Sequence, residues 1–280
     1  MRITQLNIYP VKSLRGIALE RTLLTPRGLA FDRHWMVVDG RGRFVTQREL
    51  PAMARVAVRL TDEALVLEHP RTAPLIVPLE TTAQPRCAVR IWQDTCEALD
   101  EGEAASRWLT EVLGRDLRLV RFPGDHRREV ETDYLRVERG ERADTAFPDG
   151  YPFLVACEAS LKALNERLAA QGLETVPMSR FRPNVVVEGT MPFAEGQWDE
   201  LEAGEAGYRL GLRKPCKRCK IITQDQHTGE APVPREPLRT LVAMDTQPGW
   251  QGAYFGQNAI LLDGAGRAIG VGDPLTVHCR

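Results

Sequence analysis

Short runs of β-prone residues, separated by turn residues, dominate the first part of the chain. Residues 35–38 and 44–46 are rich in aromatic and β-branched side chains and flank a glycine-containing turn, a pattern typical of a hairpin. Residues 56–60 alternate between apolar and polar positions, and an acidic turn leads from them into the apolar run 65–67. This pattern predicts a second hairpin with one face in the core. Several short strands in succession predict a barrel or a curled sheet.

Apolar positions with helical spacing occur in two segments. Within residues 103–113 the apolar side chains recur at helical intervals, and Gly114 follows, where helices often end. Leu161, Leu164 and Leu168 form a single stripe that predicts a second helix. The chain is therefore predicted to be mainly β with a few helices, in the α+β class.

The second part of the chain contains a long charged segment, residues 125–144. We interpret this segment as the crossing between two domains or as a mobile loop over the functional site. Residues 184–187 are predicted to form a buried strand. The apolar runs 259–262 and 269–277, with aspartate and glycine at their turns, predict a final hairpin or pair of strands.

The composition narrows the class of protein. The chain has 280 residues and a formal net charge of −1, so it can form a sizeable core but lacks the basic excess of a general nucleic-acid-binding protein. No apolar run approaches the roughly 18 residues of a membrane-spanning helix, and the N-terminus begins with a strand-like pattern rather than a signal peptide. Six scattered cysteines are typical of free thiols in a reducing compartment, which predicts a cytoplasmic location.

The most distinctive chemistry is a Cys-x-x-Cys pair, Cys216 and Cys219, within the cationic run 214–220. Positive charge beside a thiol favours the thiolate, which is the form that binds metals and acts as a nucleophile. The spacing fits half of a zinc site, a dithiol redox pair, or a single thiolate with a catalytic or structural role. The β-prone residues 221–223 follow the motif and predict a strand.

Three further segments place cationic, hydroxyl or amide side chains beside predicted strands. Lys12 and Ser13 follow the first strand, Arg33 precedes the strand of the first hairpin, and Arg182 and Asn184 lie at the entry to a buried strand. Ammonium and guanidinium groups bind phosphate, and a carboxamide can recognise the edge of a planar heterocycle. The alternatives are solvated turns and, for Arg33, a structural pair with the preceding carboxylate. The sequence has no dinucleotide-binding glycine motif, Walker loop or His-Glu-x-x-His motif.

Taken in order along the chain, these segments resemble one known family. The matching motifs are Tyr9-Pro10-Val11-Lys12-Ser13, Asp32-Arg33-His34-Trp35, Val45-Thr46-Gln47-Arg48, Asp149-Gly150-Tyr151-Pro152-Phe153, Glu158-Ala159-Ser160-Leu161, Phe181-Arg182-Pro183-Asn184, Cys216-Lys217-Arg218-Cys219 and Val271-Gly272-Asp273-Pro274. Together they resemble the MOSC superfamily, and within it the branch that contains the mitochondrial amidoxime-reducing components and their bacterial relatives. The resemblance implies an N-terminal MOSC-associated β-barrel domain at residues 1–122 and a MOSC β-barrel domain at residues 123–280.

The resemblance also implies a cofactor, a molybdenum centre on a pterin dithiolene with a terminal phosphate (molybdenum–molybdopterin). The catalytic residue and metal ligand that it implies is Cys219, the second cysteine of the Cys-x-Arg-Cys motif. A soft thiolate suits such a sulfur-rich metal site. The cofactor-binding residues that it implies are Lys12, Ser13, Arg33, Arg182 and Asn184, with Arg218 and Thr223 near the metal.

The implied activity is two-electron reduction of small N-hydroxylated compounds, such as hydroxylamines, amidoximes or N-hydroxylated bases. The chain ends at Arg280 without the closely spaced cysteines of an iron–sulfur domain, so we expect electrons from a separate protein of the ferredoxin or flavoprotein type. The alternatives are a sulfur carrier that delivers a persulfide from Cys219 and a cofactor carrier without turnover. No general acid is assigned, and Asp225 is the carboxylate considered for that role. Cys157 stands where relatives often carry a hydroxyl.

Overall fold

The computed structural model describes residues 1–80 and 83–280, which form a mainly β protein. The strands of this part are β1 (Arg2–Ile8), β2 (Ile17–Leu19), β3 (Arg21–Thr25), β4 (Gly28–Leu29), β5 (Trp35–Asp39), β6 (Ala57–Leu60), β7 (Ala64–His69), β8 (Thr72–Pro78), β9 (Arg86–Ile91), β10 (Asp94–Asp100), β11 (Leu117–Arg121), β12 (Phe153–Cys157), β13 (Val185–Glu188), β14 (Trp198–Ala203), β15 (Tyr208–Lys217), β16 (Tyr254–Asp263), β17 (Ala268–Gly270) and β18 (Thr276–Cys279). The helices are α1 (Glu103–Leu113), α2 (Glu158–Ala169) and α3 (Leu238–Met244). The predicted fold class, mainly β with a few helices, is confirmed.

The largest sheet has eight strands in the order β18-β14-β15-β16-β12-β13-β1-β2. Its neighbouring strands are antiparallel except β12 and β13, which are parallel and are connected by a crossover that contains α2. Strand β1 pairs with β13, where Ile3 faces Val187 and Leu6 faces Val185 in the register. All four side chains are buried in the core of this sheet. The first residues of the chain are thereby held against its second half, which positions the Lys12 segment beside the later motifs.

Three smaller sheets complete the described part of the chain, with the orders β5-β11-β10-β9, β17-β3-β4 and β6-β7-β8. The predicted hairpin at residues 56–67 is confirmed as β6 and β7. The chain also reverses between Val38 and Phe44, which form an isolated bridge, as the first predicted hairpin requires. Each of the four sheets is open, with two edge strands, rather than a closed barrel. The division into domains at residues 122 and 123 stays a prediction.

The two helices that the periodicity predicts are confirmed. Helix α1 ends before Gly114, whose φ of 69° is left-handed and whose backbone N–H donates to the carbonyl of Thr110 at 2.8 Å. In α2 the predicted stripe is the packed face, because Leu164 and Leu168 are buried and Leu161 packs against the same cluster. Helix α3 was not predicted, since its seven residues are too few to establish a helical period. No helix in residues 1–80 and 83–280 is long and apolar enough to cross a membrane.

The predicted strand at residues 221–223 is wrong, because Lys220–Thr223 forms a 3₁₀ turn. The backbone N–H of Ile222 donates to the carbonyl of Cys219 at 3.2 Å and closes the turn. Arg180 then fixes it, with Nη1 donating to the carbonyl of Thr223 at 2.7 Å. Burial of Ile222 in a hydrophobic cluster adds a further constraint, so tertiary contacts override the local β propensity.

Residues 259–262 and 269–277 do not form a hairpin with each other, because β16 pairs with β12 and β15 instead. Strand β17 pairs with β3, and β18 pairs with β14 at the edge of the large sheet. The alternative prediction, a pair of separate strands, is the one that the structure confirms. The C-terminal segment therefore pairs with strand β3, near the start of the chain, and with strand β14 of the eight-stranded sheet.

The charged segment 125–144 packs against strands of the large sheet. It contains short 3₁₀ turns at Thr132–Tyr134 and Val137–Arg139. Arg213 of β15 donates through Nε to Glu141 at 2.8 Å, and Arg136 donates through Nη1 to Asp199 of β14 at 2.6 Å. These ion pairs hold the segment beside β15, the strand that leads into the cysteine motif.

Candidate functional site

A cavity of about 510 Å³ brings together segments that are far apart in the sequence. The predicted site residues that line it are Lys12, Ser13, Arg33, Arg182, Asn184, Arg218 and Cys219. Thr223 is not among the lining residues, and its hydroxyl instead donates to the carbonyl of Lys220 at 2.7 Å within the 3₁₀ turn. A cavity of this size is typical of a small-molecule or cofactor site.

Cationic side chains outnumber carboxylates on the described wall of this cavity. The cationic residues are Lys12, Arg33, Arg48, Arg182, Lys214, Lys217 and Arg218. The carboxylates are Asp149 and Glu131. Because a concave surface with one excess charge concentrates ions of the opposite charge, this wall favours an anionic ligand.

Two predicted arginines pack on the ring of one buried tyrosine. The guanidinium carbons of Arg33 and Arg182 lie 4.5 Å and 4.2 Å from the ring centroid of Tyr9. Burial raises the pKa of Tyr9 to about 12, against the opposing effect of both guanidinium groups, so the phenol stays neutral. Burial also lowers the pKa of Arg182 to about 10, which leaves it charged at neutral pH. The ring therefore holds two positive charges side by side at the cavity wall.

Arg33 is positioned by three groups. Its Nη1 forms an ion pair with the buried carboxylate of Asp32 and donates to Oδ1 of Asn184 at 3.0 Å. Its Nη2 donates to the carbonyl of Arg182 at 3.3 Å. The same Asn184 oxygen accepts the backbone N–H of Leu154 at 3.1 Å, so Asn184 connects the arginine to strand β12. This network gives Asn184 a positioning function in addition to its predicted contact with a ligand.

The backbone is strained at three of the predicted residues. Ser13, Arg33 and Arg182 have φ values of 65°, 47° and 55°, in the left-handed region that non-glycine residues rarely adopt. Each such residue costs of the order of 1 kcal/mol and persists only where surrounding contacts enforce it. Hydrogen bonds do so here, since the N–H of Arg33 donates to Tyr9 and that of Arg182 donates to Ser179. Clustering of strained residues at one cavity is typical of a functional site.

Lys12 and Asp149 form a partly buried ion pair at the cavity. The ammonium donates to the carbonyl of Phe147 at 2.7 Å and to Oδ1 of Asp149 at 2.6 Å. Burial lowers the pKa of Lys12 to about 8, although Asp149 opposes the shift. Burial would raise the pKa of Asp149, but the charges of Lys12 and Arg48 hold it well below its usual range. An anionic ligand that binds Lys12 would therefore replace the carboxylate of Asp149 as its ionic partner.

The lowered pKa of Lys12 predicts a pH dependence of anion binding. As the pH rises through about 8, the ammonium loses its proton, so affinity for sulfate is expected to fall by up to about tenfold between roughly pH 7 and pH 9. Sulfate is a suitable probe because its own charge is constant over this range. The measurement is calorimetric titration of cofactor-free protein, with Lys12→Arg as the control that stays charged. A wild-type affinity that does not change with pH would contradict the assignment.

The cysteine motif begins at the end of β15 and continues into an extended segment. Cys216 Sγ accepts a hydrogen bond from Nη1 of Arg218 at 2.8 Å, and the other nitrogen of that guanidinium donates to the carbonyl of Phe181 at 2.7 Å. Cys219 has extended backbone dihedrals, and its thiol is free. Within the part of the chain that the structure describes, no hydrogen bond reaches Cys219 Sγ. Both cysteines line the cavity, and they differ in their partners: Cys216 Sγ accepts a hydrogen bond from Arg218, whereas Cys219 Sγ has no hydrogen-bond partner among the described residues.

Two further groups at the cavity have unused hydrogen-bonding capacity. Tyr151 Oη and Arg218 Nε are buried and have no hydrogen-bond partner among the described residues. Buried polar groups without partners are costly, so both atoms suit a ligand that carries hydrogen-bond acceptors. The same residues 1–80 and 83–280 contain no group of three or more histidine, cysteine, aspartate or glutamate side chains that could hold a metal ion.

Sequence reasoning missed several cavity residues. Arg48, Asp149 and Tyr151 lie within motifs of the resemblance, so the sequence contained a signal for their position but none for their partners. Trp250 and Tyr254 also line the cavity; Trp250 lies in the loop before β16, Tyr254 is the first residue of β16, and neither belongs to a motif of the resemblance. Their location depends on how this loop pairs with the cysteine segment, which only the structure reveals.

Asp225 does not have the properties of a general acid. It is not a lining residue of the cavity. Its Oδ1 accepts the backbone N–H groups of His227 and Thr228 at 2.8 Å and 2.9 Å, which closes a local turn. Burial opposes the shift, but these bonds hold the pKa of Asp225 below its usual value, so the carboxylate carries no proton at neutral pH. Its function is to shape the segment after the cysteine motif.

Known proteins match almost the entire chain. The MOSC N-terminal beta barrel domain matches residues 1–116, and the MOSC domain matches residues 142–276. Mitochondrial amidoxime-reducing component 1 of Homo sapiens is 33% identical over 287 aligned residues, covering 98% of this chain and 82% of that protein. The Mus musculus protein of the same name is 32% identical, covering 98% and 81%. Molybdenum cofactor sulfurase of Bos taurus is 30% identical, covering 81% of this chain and 27% of that protein.

Proposed function

Because this chain belongs to the MOSC family, and within it to the proteins in which a MOSC N-terminal β-barrel domain precedes the MOSC domain, we propose that it is a molybdenum-cofactor-dependent oxidoreductase. The proposed reaction reduces small N-hydroxylated compounds: the N–OH bond breaks, two electrons and two protons are taken up, and water is released. A separate protein of the ferredoxin or flavoprotein type supplies the electrons. The observation that carries the proposal is that Cys219 and an excess of cationic side chains line the same cavity.

The residues of the cavity fit the proposed cofactor. A free thiol without a protein partner suits a soft metal centre, and the charges of Lys12, Arg33 and Arg182 suit a terminal phosphate. The unpaired Oη of Tyr151 suits the hydrogen-bonding groups of a pterin or of a substrate. We therefore assign Cys219 Sγ as the metal ligand and the cationic groups as the phosphate site, with Ser13 beside them. When bound, the cofactor supplies a metal that exchanges two electrons between its IV and VI oxidation states.

Tyr151 is the residue to which we assign the proton-holding role. Burial raises the pKa of Tyr151, so Oη keeps its proton at neutral pH. The hydroxyl is buried without a hydrogen-bond partner among the described residues, and Tyr151 is a lining residue of the cavity. We assign it to donate a hydrogen bond to the departing oxygen of the substrate, which favours loss of that oxygen as water.

A sulfur carrier is the second candidate function. It is favoured by the similarity to molybdenum cofactor sulfurase and by the free thiol of Cys219, which would hold a persulfide next to Lys217 and Arg218. In that function Cys219 would accept and release sulfur without a metal. The two candidates differ in what the purified protein contains and in what it converts.

The cytoplasmic location also stays a prediction, since the amidoxime-reducing relatives are named as mitochondrial.

The proposed activity has a direct test. Protein produced in cells that synthesise the cofactor is expected to reduce hydroxylamine and amidoximes with a chemically reduced viologen as the electron donor. Protein from cells that cannot synthesise the cofactor is the matched control and is expected to be inactive. Reduction is followed by oxidation of the viologen and by detection of the amine or amidine product. Absence of turnover, together with cyanide-releasable sulfur on Cys219, would favour the sulfur carrier instead.

A further inference from the structure

Three aromatic side chains form a cluster at the cavity, which we call the aromatic rim: Tyr134, Trp250 and Tyr254. The ring centroid of Trp250 lies 5.8 Å from that of Tyr134 and 5.9 Å from that of Tyr254. Trp250 and Tyr254 line the cavity, and Tyr134 extends the cluster from the charged segment 125–144. Distances of this kind are typical of interacting aromatic rings.

The aromatic rim is attached to the same backbone segment as the cysteine motif. Tyr254 is the register partner of Lys217, and the backbone N–H of Arg218 donates to the carbonyl of Ala253 at 2.8 Å. The rim therefore adjoins the cysteine motif at Lys217 and Arg218. The arginines that pack on Tyr9, which we assign to the cofactor phosphate, come from other segments.

Contacts outside the rings hold the rim in place before any ligand binds. Lys214 Nζ lies 4.3 Å from the ring centroid of Tyr134 and donates to Glu131 at 2.8 Å. Gly252 has a φ of 130°, a backbone conformation that residues with a side chain rarely adopt, so the loop that carries Trp250 needs glycine at this position. A rim that is fixed in this way loses little conformational entropy when it binds a flat molecule.

Trp250 is 37% exposed although it is large and apolar. Its ring contacts two aromatic neighbours at the wall of a cavity and still presents surface to solvent. Exposed aromatic surface at a cavity is typical of a ligand-binding site, because a planar ligand can stack on it or pack against its edge. Because the rim lies beside the cysteine motif, the substrate, rather than the phosphate end of the cofactor, is the molecule that this surface would contact.

We propose that the aromatic rim is a subsite for the flat ring system of the substrate, and this inference rests on the proposed function. Aryl N-hydroxylated compounds, such as aromatic amidoximes or N-hydroxylated bases, are the preferred substrates of this chain. Aliphatic compounds with the same reacting group lack the ring and gain nothing from the rim.

The test compares two substrates with the same reacting group, benzamidoxime and acetamidoxime. In holoprotein with a reduced viologen as donor, Trp250→Ala is expected to lower kcat/KM for benzamidoxime by roughly five- to tenfold and to change that for acetamidoxime by less than about twofold. Trp250→Phe keeps a ring and is expected to restore most of the preference. Ile76→Ala removes an exposed apolar side chain outside the cavity lining and is the matched control.

A binding measurement separates failure of the subsite from failure of the proposed function. Calorimetric titration of the same variants with benzamidoxime, in the absence of electron donor, is expected to show weaker binding for Trp250→Ala and unchanged binding for Ile76→Ala. Equal losses for both substrates would overturn the subsite while leaving the reductase intact. A higher KM for a protein electron donor, with both amidoximes unaffected, would overturn it in favour of a docking surface. No turnover, but ring-dependent binding at Trp250, would reject the reductase and retain a site for flat ligands.

Discussion

Replacement of Cys219 by serine is expected to abolish reduction of N-hydroxylated compounds. Loss of a group that merely orients a metal ligand costs roughly 10- to 100-fold in affinity or activity, so loss of the ligand itself is expected to lower kcat/KM by more than about 100-fold. A serine hydroxyl is a hard donor with a high pKa and is a poor substitute for a thiolate on a sulfur-rich metal centre. The measurement is steady-state turnover of hydroxylamine by Cys219→Ser protein made in cells that synthesise the cofactor, compared with wild-type protein from the same cells.

The chain supplies its own matched control in the first cysteine of the motif. Cys216 Sγ accepts a hydrogen bond from Arg218 Nη1, and a serine hydroxyl at the same position can also accept it. Cys216→Ser is therefore expected to retain most of the activity, within about fivefold, because the hydrogen bond is kept and only its acceptor atom changes. The reverse pattern, with Cys216 essential and Cys219 dispensable, would contradict the assignment of the metal ligand. Equal loss in both variants would point to a dithiol mechanism.

Removal of the Arg33 side chain is expected to destabilise the fold as well as the site. The Asp32 side chain is 0% exposed and its ion-pair partner Arg33 is 14% exposed. Truncation of one partner leaves a buried carboxylate uncompensated, so Arg33→Ala is expected to lower the free energy of unfolding by about 3 kcal/mol. The measurement is denaturant unfolding of cofactor-free protein, which separates the effect on folding from any effect on cofactor binding.

Two comparisons make the Arg33 prediction specific. Arg2→Ala removes an arginine from an exposed ion pair with Glu188 and is expected to leave stability nearly unchanged. Arg33→Ala/Asp32→Asn removes the uncompensated charge and is expected to recover part of the lost stability. An Arg33→Ala protein that is as stable as Arg2→Ala would show that the Asp32 carboxylate is compensated by other groups, such as the backbone N–H of Tyr9.

The fold was predictable where a local period determines the structure. The bounds of α1 and the hairpin of β6 and β7 follow from apolar spacing and turn residues, because these elements bury one face and expose the other. The turn at Lys220–Thr223 was not predictable in this way, since a distant arginine, Arg180, fixes it. The pairing of β17 with β3 likewise depends on contacts between residues that are far apart in the sequence.

The candidate site was predictable where residues belong to motifs. The structure brings Lys12, Arg33, Arg182 and Cys219 to one cavity, although nothing in their individual sequence contexts determines that proximity. Their convergence arises because β1 adds to the sheet formed by the second half of the chain. The aromatic rim was not predictable, because its three residues lie outside the motifs and their positions depend on tertiary contacts, such as the pairing of Tyr254 with Lys217. Thr223 shows that a position near a motif does not by itself place a side chain at the cavity, because its hydroxyl donates within a local turn.

The most direct test of the account is the molybdenum content of the purified protein. Protein made in cells that synthesise the cofactor is expected to contain about one molybdenum and about one pterin per chain, and both are expected to be lost in Cys219→Ser. Elemental analysis measures the molybdenum and fluorescence of the oxidised pterin measures the pterin, and neither measurement depends on enzymatic activity. Wild-type protein from such cells that contains no molybdenum, and instead carries labile sulfur on Cys219, would contradict the account.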